Sequence, residues 1–439
     1  MYKVFFITFG CKVNQYETDS MRSEFVSQGF VETDSADDAD IIIINSCTVT
    51  GSGDSKSLYS VRKMRKIAPN AIIALTGCLP QAAPEIAAKI PEADIVAGTK
   101  DRRKLPELVR SVIAERRHIV AIDQYGAHDE FELTRFEGAQ DKTRAFVKIQ
   151  DGCNQFCSYC IIPYARGRLR SKPIDALKDE ISRLAQSGRR EIVLVGINLA
   201  FYGVEFGLRL ADAVEVCCKT EGIERVRLGS LEPEILSDED LRRLAALPEL
   251  CPQFHLSLQS GSENTLKAMN RKYTAADYFT LTQKIRAAFP NASFTTDIMV
   301  GFPTETEKDF AESMRFAEKI GFAKIHVFQY SPRTGTPAAK MPQIAASIKA
   351  ERADRMKALG ERLHSAHLQS LVGKTVAVLF EMENSTDFHR GYAPDYTLIK
   401  ISRKNPQKSL RNQIIRVIIE ENRSDYCFGR LESEAAQQE

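Results

Sequence analysis

Six short apolar runs, at 145–149, 191–196, 225–228, 254–258, 294–300 and 324–329, recur in series through the middle of this 439-residue chain, each followed by a helical stretch. Strands joined by crossover helices must run parallel, because a parallel pair cannot be closed by a tight turn. Six such units predict a partial, open (βα)6 barrel, short of the eight that close a full one, with functional groups at the carboxyl ends of the strands. The first strand runs straight into Asp151-Gly152-Cys153-Asn154-Gln155-Phe156-Cys157-Ser158-Tyr159-Cys160, a C-x3-C-x2-C pattern. Three thiolates packed this closely read as a metal or cluster site. A structural zinc takes four protein ligands and the common iron–sulfur sites take four cysteines, so three leave one coordination position open.

The N-terminal third repeats the strand-to-helix unit with a cysteine at each strand end. A strand over Val4–Thr8 leads to Cys11 and an amphipathic helix over 15–28; Ile41–Ile44 leads to Cys47 and a basic helix over 61–68; Ala71–Leu75 leads to Cys78 and a helix begun by Pro80. The separations, 36 and 31 residues, are each about one βαβ repeat, which brings all carboxyl ends to the sheet edge where open α/β sheets bind ligands. A lone cysteine at a strand end is more often a small buried hydrophobe. Three in phase predict a second three-thiolate site on Cys11, Cys47 and Cys78. The strand at 94–98 and the helix at 102–114 complete an open parallel α/β sheet over residues 1–114, with a polar linker expected over 115–138, the barrel over 139–370 and a final unit over 371–434.

Composition, 43% hydrophobic and 27% charged, excludes disorder and fibres. No apolar stretch approaches the roughly 18 residues of a membrane span and no basic leader is visible, so a cytoplasmic protein with no membrane partner is expected. Ten cysteines in that compartment read as ligands or core thiols rather than disulfides; Cys217, Cys218, Cys251 and Cys427 lie off both patterns and are expected in cores. Arg166, Arg168, Arg170 and Lys172 crowd the loop after the first triad. Such runs are usually solvated faces, but one beside an active-site mouth is a candidate for phosphate contact. At the C-terminus, strands expected at 375–381, 396–401, 413–420 and 426–431 suggest a small β-barrel. Between Phe388 and Arg416 stand seven basic residues (Arg390, Lys400, Arg403, Lys404, Lys408, Arg411, Arg416) against one acid, Asp395. Phe388, Tyr392 and Tyr396 are available there to stack on unpaired bases or to fill a small core.

With its aromatic Tyr159, the C-x3-C-x2-C pattern resembles the signature of the radical S-adenosylmethionine enzymes. There three cysteines hold a [4Fe–4S] cluster whose open iron chelates the methionine end of the cofactor, which is cleaved to a 5′-deoxyadenosyl radical. The segments Gly10-Cys11-Lys12-Val13-Asn14-Gln15-Tyr16-Glu17, Asn45-Ser46-Cys47-Thr48-Val49-Thr50, Gly77-Cys78 and Cys160-Ile161-Ile162-Pro163-Tyr164-Ala165-Arg166-Gly167 resemble the methylthiotransferases, most closely those converting N6-threonylcarbamoyladenosine at tRNA position 37 to its 2-methylthio derivative. The resemblance implies catalytic cysteines at Cys153, Cys157 and Cys160, a second cluster on Cys11, Cys47 and Cys78, and cofactor contacts from Tyr159, Gly196, Asn198, Ser230, Glu232, Gln259 and Asp297. It implies two [4Fe–4S] clusters and S-adenosyl-L-methionine as cofactors, a TRAM-like RNA-binding barrel, the tRNA anticodon stem-loop as substrate, and an electron donor such as flavodoxin or ferredoxin, without a DNA partner. Sister enzymes acting on N6-isopentenyladenosine 37 or on a ribosomal-protein aspartate share the architecture. The alternatives outside that family are an iron–sulfur RNA-binding sensor and a zinc protein.

Overall fold

A computed structural model describes residues 1–134, 143–234, 236–381, 385, 387–403 and 409–435. Lys404, Lys408 and the span 135–142 lie outside the described residues.

The N-terminal sheet has six strands in the order Val31–Glu32, Lys3–Thr8, Ile41–Ser46, Ile72–Gly77, Ile95–Ala97, Ile119–Ala121, every neighbouring pair parallel. Ile41, Ile42, Ile43 and Ile44 are all fully buried, as a central strand covered on both faces demands. Their alternation divides two cores. Ile41 and Ile43 pack with Val4, Phe6 and Phe25 on one face, while Ile42 and Ile44 pack with Val61, Ile73 and Leu75 on the other. The chain order reverses between Lys3–Thr8 and Ile41–Ser46, so the crevice at their carboxyl ends is the topological switch point, where doubly wound sheets place ligands. The stretch read as the start of a linker instead supplies the sixth strand: Ile119–Ala121 pairs with Ile95–Ala97, its three residues, in an apolar run of only four at 119–122, too few to register as a strand in sequence.

The central strands, Arg144–Asp151, Glu191–Gly196, Arg225–Leu228, Ser230–Leu231, Gln253–Leu256, Ser293–Val300 and Lys324–Gln329, form two parallel sets that meet at Gly229, where the third strand passes from one set to the other. Gly229 N–H still donates to Leu194 O at 2.8 Å, so the break is a bend in one strand and the count of six stands. Arg170–Ser171 adds a short antiparallel partner to the first strand. The last strand, Lys324–Gln329, is an edge, and its Lys324, His326 and Phe328 face an open lumen. The N-terminal sheet closes over this side: Arg333 donates to Thr48 Oγ1 at 2.6 Å and pairs with Asp54 at 2.5 Å, and Gly51 N–H donates to Ser331 Oγ at 3.2 Å.

The 24-residue helix Ala346–Gln369 leads into a closed five-stranded barrel, in the order Thr375–Phe380, Phe388–Tyr392, Leu398–Ser402, Tyr426–Leu431, Ile414–Arg423. Phe388–Tyr392 is a strand the sequence reading passed over. The barrel seats on the amino ends of the central strands. Arg227, with no exposed surface, donates to Pro394 O at 2.6 Å and Ala393 O at 2.8 Å, and Arg225 to Tyr392 O and Ala377 O. Tyr392 and Tyr396 therefore do not form an outward stacking surface. The Arg144 guanidinium lies over both rings at 4.6 and 5.3 Å, that of Arg227 over Tyr396 at 4.0 Å, and the two tyrosines face the lumen. Phe388 stays 37% exposed, edge-on to Phe428. Among the described residues no helix is long and apolar enough to cross a membrane.

Candidate active site

At the carboxyl end of the first central strand the backbone must turn at once. Gly152 does so at φ +71°, and a Cβ there would lie 1.9 Å from Arg168 O. Cys153 N–H then donates to Gly167 O at 3.1 Å, pinning the cysteine loop to the segment that follows it. Ser158 ties the loop's middle to a neighbouring unit through Ala268 O and Met269 O. Each thiol meets donors. Gln155 N–H lies 3.5 Å and Asn198 Nδ2 3.7 Å from Cys153 Sγ, while Arg271 Nη1 lies 3.4 Å from Cys157 Sγ. Arg271 is itself held by Glu232, by Ser257 O and by the Tyr159 hydroxyl. Burial pushes the Cys160 thiol up to about 12 and raises Cys153 and Cys157 as well, so these sulfurs hold their protons until a positive centre replaces them.

The cysteines of the second triad stand on three loops at the carboxyl edge of the N-terminal sheet. Cys11 precedes the helix Lys12–Ser27, Cys47 follows the central strand of the N-terminal sheet, and Cys78 opens the short helix Cys78–Ala82. Asn14 knits the three loops together. Its Nδ2 donates to Phe9 O at 2.8 Å and Ser46 O at 2.9 Å, and its Oδ1 lies 3.8 Å from Cys11 Sγ and 3.9 Å from Cys78 Sγ. Gly10, at φ +101°, passes so close that a Cβ would stand 2.9 Å from Cys47 Sγ. Val49 N–H points at Cys47 Sγ at 3.5 Å. Burial raises Cys47 and lifts Cys78 to about 12.

Arg166 ties the second triad to Asp151, two residues before the first. It lies six residues beyond Cys160 and has no exposed surface, yet its Nε and Nη2 each reach Cys78 Sγ at 3.3 Å and its Nη2 donates to Asn14 Oδ1 at 2.7 Å. It also pairs with Glu17 and, at 3.4 Å, with Asp151. Lys148 bridges the same two carboxylates at 2.9 and 3.1 Å, and Arg102 adds a third cation to Glu17 at 3.0 Å. Burial alone would raise the Glu17 carboxyl, but Arg102, Arg166 and Lys148 together hold it at about 2. The reading of this basic run as a phosphate-contacting face therefore fails for three of its four members. Arg170 lies against Asp151 and Lys172 against Glu180, both buried, and only Arg168 is exposed. The physical reason is the acids contributed from elsewhere, Glu17 above all, 149 residues away.

The remaining candidates fall in two connected places. Tyr159, Gln259 and Asp297 line a cavity of about 160 Å³ with Cys160 on one side and Val49 and Thr50, next to Cys47, on the other. Gln259 is held at φ +64° by hydrogen bonds to Asp297 O and from Met299 N–H. Gly196, Ser230 and Asp297 line a larger cavity of about 600 Å³ that reaches Gly10–Val13. Asn198 stands at Cys153 with its Oδ1 buried and unpartnered. Glu232 is brought to the site but committed to Arg271. Asn14, Glu17, Arg166 and Arg271 were missed as site residues; the first three sit inside the cysteine-bearing segments, and nothing in sequence marks Arg271.

Among the described residues no three His, Cys, Asp or Glu side chains close around a point where a single metal ion would sit. The donor sets fit a larger anionic cluster: each triad is all thiol, each has a backbone N–H aimed at one sulfur and a buried guanidinium at another.

A family model described as the radical SAM superfamily matches residues 147–317, and one described as Uncharacterized protein family UPF0004 matches residues 3–98. The threonylcarbamoyladenosine tRNA methylthiotransferase MtaB of Thermotoga maritima is 38% identical across 85% of this chain and 85% of its own, and that of Bacillus subtilis 36% across 90% and 89%. The tRNA-2-methylthio-N(6)-dimethylallyladenosine synthase of Clostridium novyi is 37% identical across 88% and 87%, so overall identity does not separate the two named activities. Among solved structures, the radical S-adenosylmethionine methyltransferase TsrM from Kitasatospora setae superposes with a TM-score of 0.58 at 14% identity over 77% of each chain, a likeness of fold alone.

Proposed function

The chain belongs to the radical S-adenosylmethionine methylthiotransferases that modify tRNA adenosines, and from that premise we propose that it methylthiolates C2 of N6-threonylcarbamoyladenosine at position 37. Membership implies S-adenosylmethionine and a [4Fe–4S] cluster, and Cys153, Cys157 and Cys160 are the residues that would hold that cluster. Together these supply the one-electron chemistry needed at an aromatic carbon with neither an acidic proton nor a leaving group. Cys11, Cys47 and Cys78 would hold the second cluster, whose chemistry would be to supply the sulfur.

The observation that carries this reading is the shared cavity. Val49 and Thr50, which follow Cys47, reach it from one side and Cys160 and Tyr159 from the other, while Arg166 links Cys78 to Glu17 and Asp151. A space lined by Cys160 on one side and by the residues after Cys47 on the other suits a reaction that must form a radical and transfer sulfur at the same carbon. Around that space the chain's own groups have separable tasks. The unpartnered Asn198 Oδ1 and the Asp297 carboxylate accept from the cofactor's ammonium and ribose, and the backbone at Gly196 lets it approach closely. Arg271 and Arg166 place positive charge against the sulfurs, and the N-terminal sheet contributes Gly10–Val13 to the lumen's lining. The C-terminal barrel presents Arg390 and Arg416 to solvent for the stem-loop backbone, and a small redox protein such as flavodoxin or ferredoxin supplies electrons.

Mass spectrometry of tRNA nucleosides from cells with and without the protein tests the substrate. Loss of 2-methylthio-N6-threonylcarbamoyladenosine is expected; loss of the isopentenyl analogue instead would move the chain to the sister activity.

A further inference from the structure

The wall of the larger cavity carries charge that the reaction at C2 does not use. Parallel register places the inward residues of the last three strands in rungs: His255, Thr295 and Lys324 on one level, Asp297 and His326 on the next. Lys324 thus lies two rungs, roughly 13 Å, from Phe328 at the level of Cys160 and Gln259. From the N-terminal sheet, Lys12 enters the same cavity. The Asp297 carboxylate already faces His255 Nε2 at 3.4 Å, and His255 Nδ1 meets Thr295 Oγ1 at 3.0 Å. Arg144 is spent on Glu381 and Glu191. Neither Lys12 nor Lys324 has an ion-pair or hydrogen-bond partner among the described residues; the Lys12 ammonium merely rests over the Tyr396 ring at 5.1 Å. Two unpaired ammonium groups facing one lumen are a site for an anion that arrives with the substrate.

Resting on the substrate reading above, we propose that Lys12 and Lys324 bind the free carboxylate of the threonylcarbamoyl arm and so select the modified adenine. The arm is the only anionic part of the nucleobase. C6, which bears N6 and the arm, and C2 flank N1 with their exocyclic bonds diverging, so an adenine with C2 turned to the cofactor level leaves the arm pointing away from that level, toward the lysine rung. A hydrocarbon arm in the same place would lie against two ammonium groups without supplying a counter-charge. A backbone phosphate is the other anion tRNA brings; both lysines are exposed but line one cavity, and a series of oligonucleotides differing at position 37 separates the two anions.

The test is equilibrium binding of anticodon stem-loop oligonucleotides to the anaerobically purified full chain with its clusters. Position 37 carries in turn unmodified adenosine, N6-threonylcarbamoyladenosine, its methyl ester, or N6-isopentenyladenosine. The wild-type protein is expected to favour the free acid over the ester by about tenfold or more, and the Lys12→Ala/Lys324→Ala variant to lose that preference. The Lys12→Arg/Lys324→Arg variant should restore it. Unchanged binding of the unmodified oligonucleotide and an unchanged melting temperature would show that the fold and the tRNA backbone contacts are intact. Equal weakening of all four oligonucleotides would assign the lysines to phosphate and overturn the proposal, as would a double-alanine variant that still prefers the acid. The nucleoside assay is independent of these arms: if 2-methylthio-N6-threonylcarbamoyladenosine is lost with the protein while the double variant keeps its preference, the lysine assignment alone fails.

Discussion

Arg166 places its guanidinium against Cys78, with Nε and Nη2 each 3.3 Å from the sulfur, although the two residues follow strands of different sheets. A planar fork with fixed donors can serve one sulfur, Asn14 and Glu17 together, which an ammonium cannot. Arg166→Ala should therefore do two things. It strands Glu17 and Asp151 with one cation fewer, costing about 3–5 kcal/mol of stability, and it removes positive charge from the second triad. Iron and sulfide per chain should fall toward half, while 5′-deoxyadenosine formation persists in the protein that remains folded. Arg166→Lys should recover stability more than cluster content.

The two triads should fail separately. Cys157→Ala removes a ligand of the radical site, and cofactor cleavage should vanish. Cys47→Ala leaves Cys153, Cys157 and Cys160 and their donors untouched, so cleavage should continue while methylthiolated tRNA disappears. Methylthiolated product from the Cys47→Ala variant would end the two-cluster assignment.

The acid limb of stability should report on Glu17. Its carboxyl is held at about 2 against an ordinary 4.5, burial opposing and Arg102, Arg166 and Lys148 prevailing. A depressed carboxylate stabilises the fold fully above the unfolded-state value, and that contribution is lost as pH falls from about 4.5 to about 2. For a shift of this size the loss is about 3 kcal/mol. Urea midpoints measured between pH 5 and 2.5 should fall more steeply for the wild type than for Glu17→Gln, which starts lower and has less to lose. Parallel slopes would mean that the cations do not favour the ionised form.

The architecture was legible because its signals are periodic. Six apolar runs in series, three cysteines one βαβ unit apart and a final cluster of short strands all report on repeating geometry, which local sequence encodes. Ile119–Ala121 escaped because three residues carry no period, and Phe388–Tyr392 because His389 and Arg390 interrupt its alternation. The fate of the basic run was illegible for a different reason. Whether Arg166, Arg170 and Lys172 meet solvent depends on Glu17, Asp151 and Glu180, and for Arg166 the main partner comes from the other end of the fold. Tyr392 and Tyr396 mislead likewise: an aromatic in a basic barrel reads as a base-stacking group until Arg144 and Arg227 are found stacked on it.

The joint between the central strands and the C-terminal barrel rests on a buried cluster about Glu191, which Arg227 meets at 3.0 Å and Arg144 and Arg225 at 3.8 Å. Arg227→Ala removes the nearest cation and leaves the Ala393 and Pro394 carbonyls without their donor. A loss of about 3 kcal/mol or more is expected, together with faster proteolysis between the helix Ala346–Gln369 and the barrel and a separate low-temperature unfolding step. A single unshifted transition would show that the barrel is seated by other contacts.

Salt dependence of tRNA binding distinguishes the exposed cations from the buried ones. Each lysine or arginine that neutralises a phosphate adds about one unit to the slope of log affinity against log salt. Arg168 is the only exposed member of the run after Cys160, so Arg168→Ala should flatten the slope by about one unit. Arg390 is exposed on the barrel with no ion-pair partner among the described residues, whereas the equally exposed Arg416 is engaged by Glu432 at 2.5 Å. Arg390→Ala should thus cost about one further unit and Arg416→Ala less. Arg170 is held against Asp151 and is not free to reach a phosphate, so Arg170→Ala should lower thermal stability while leaving the slope where it was. A slope that fell with Arg170→Ala in a protein of unchanged melting temperature would restore the whole run to the tRNA-binding face.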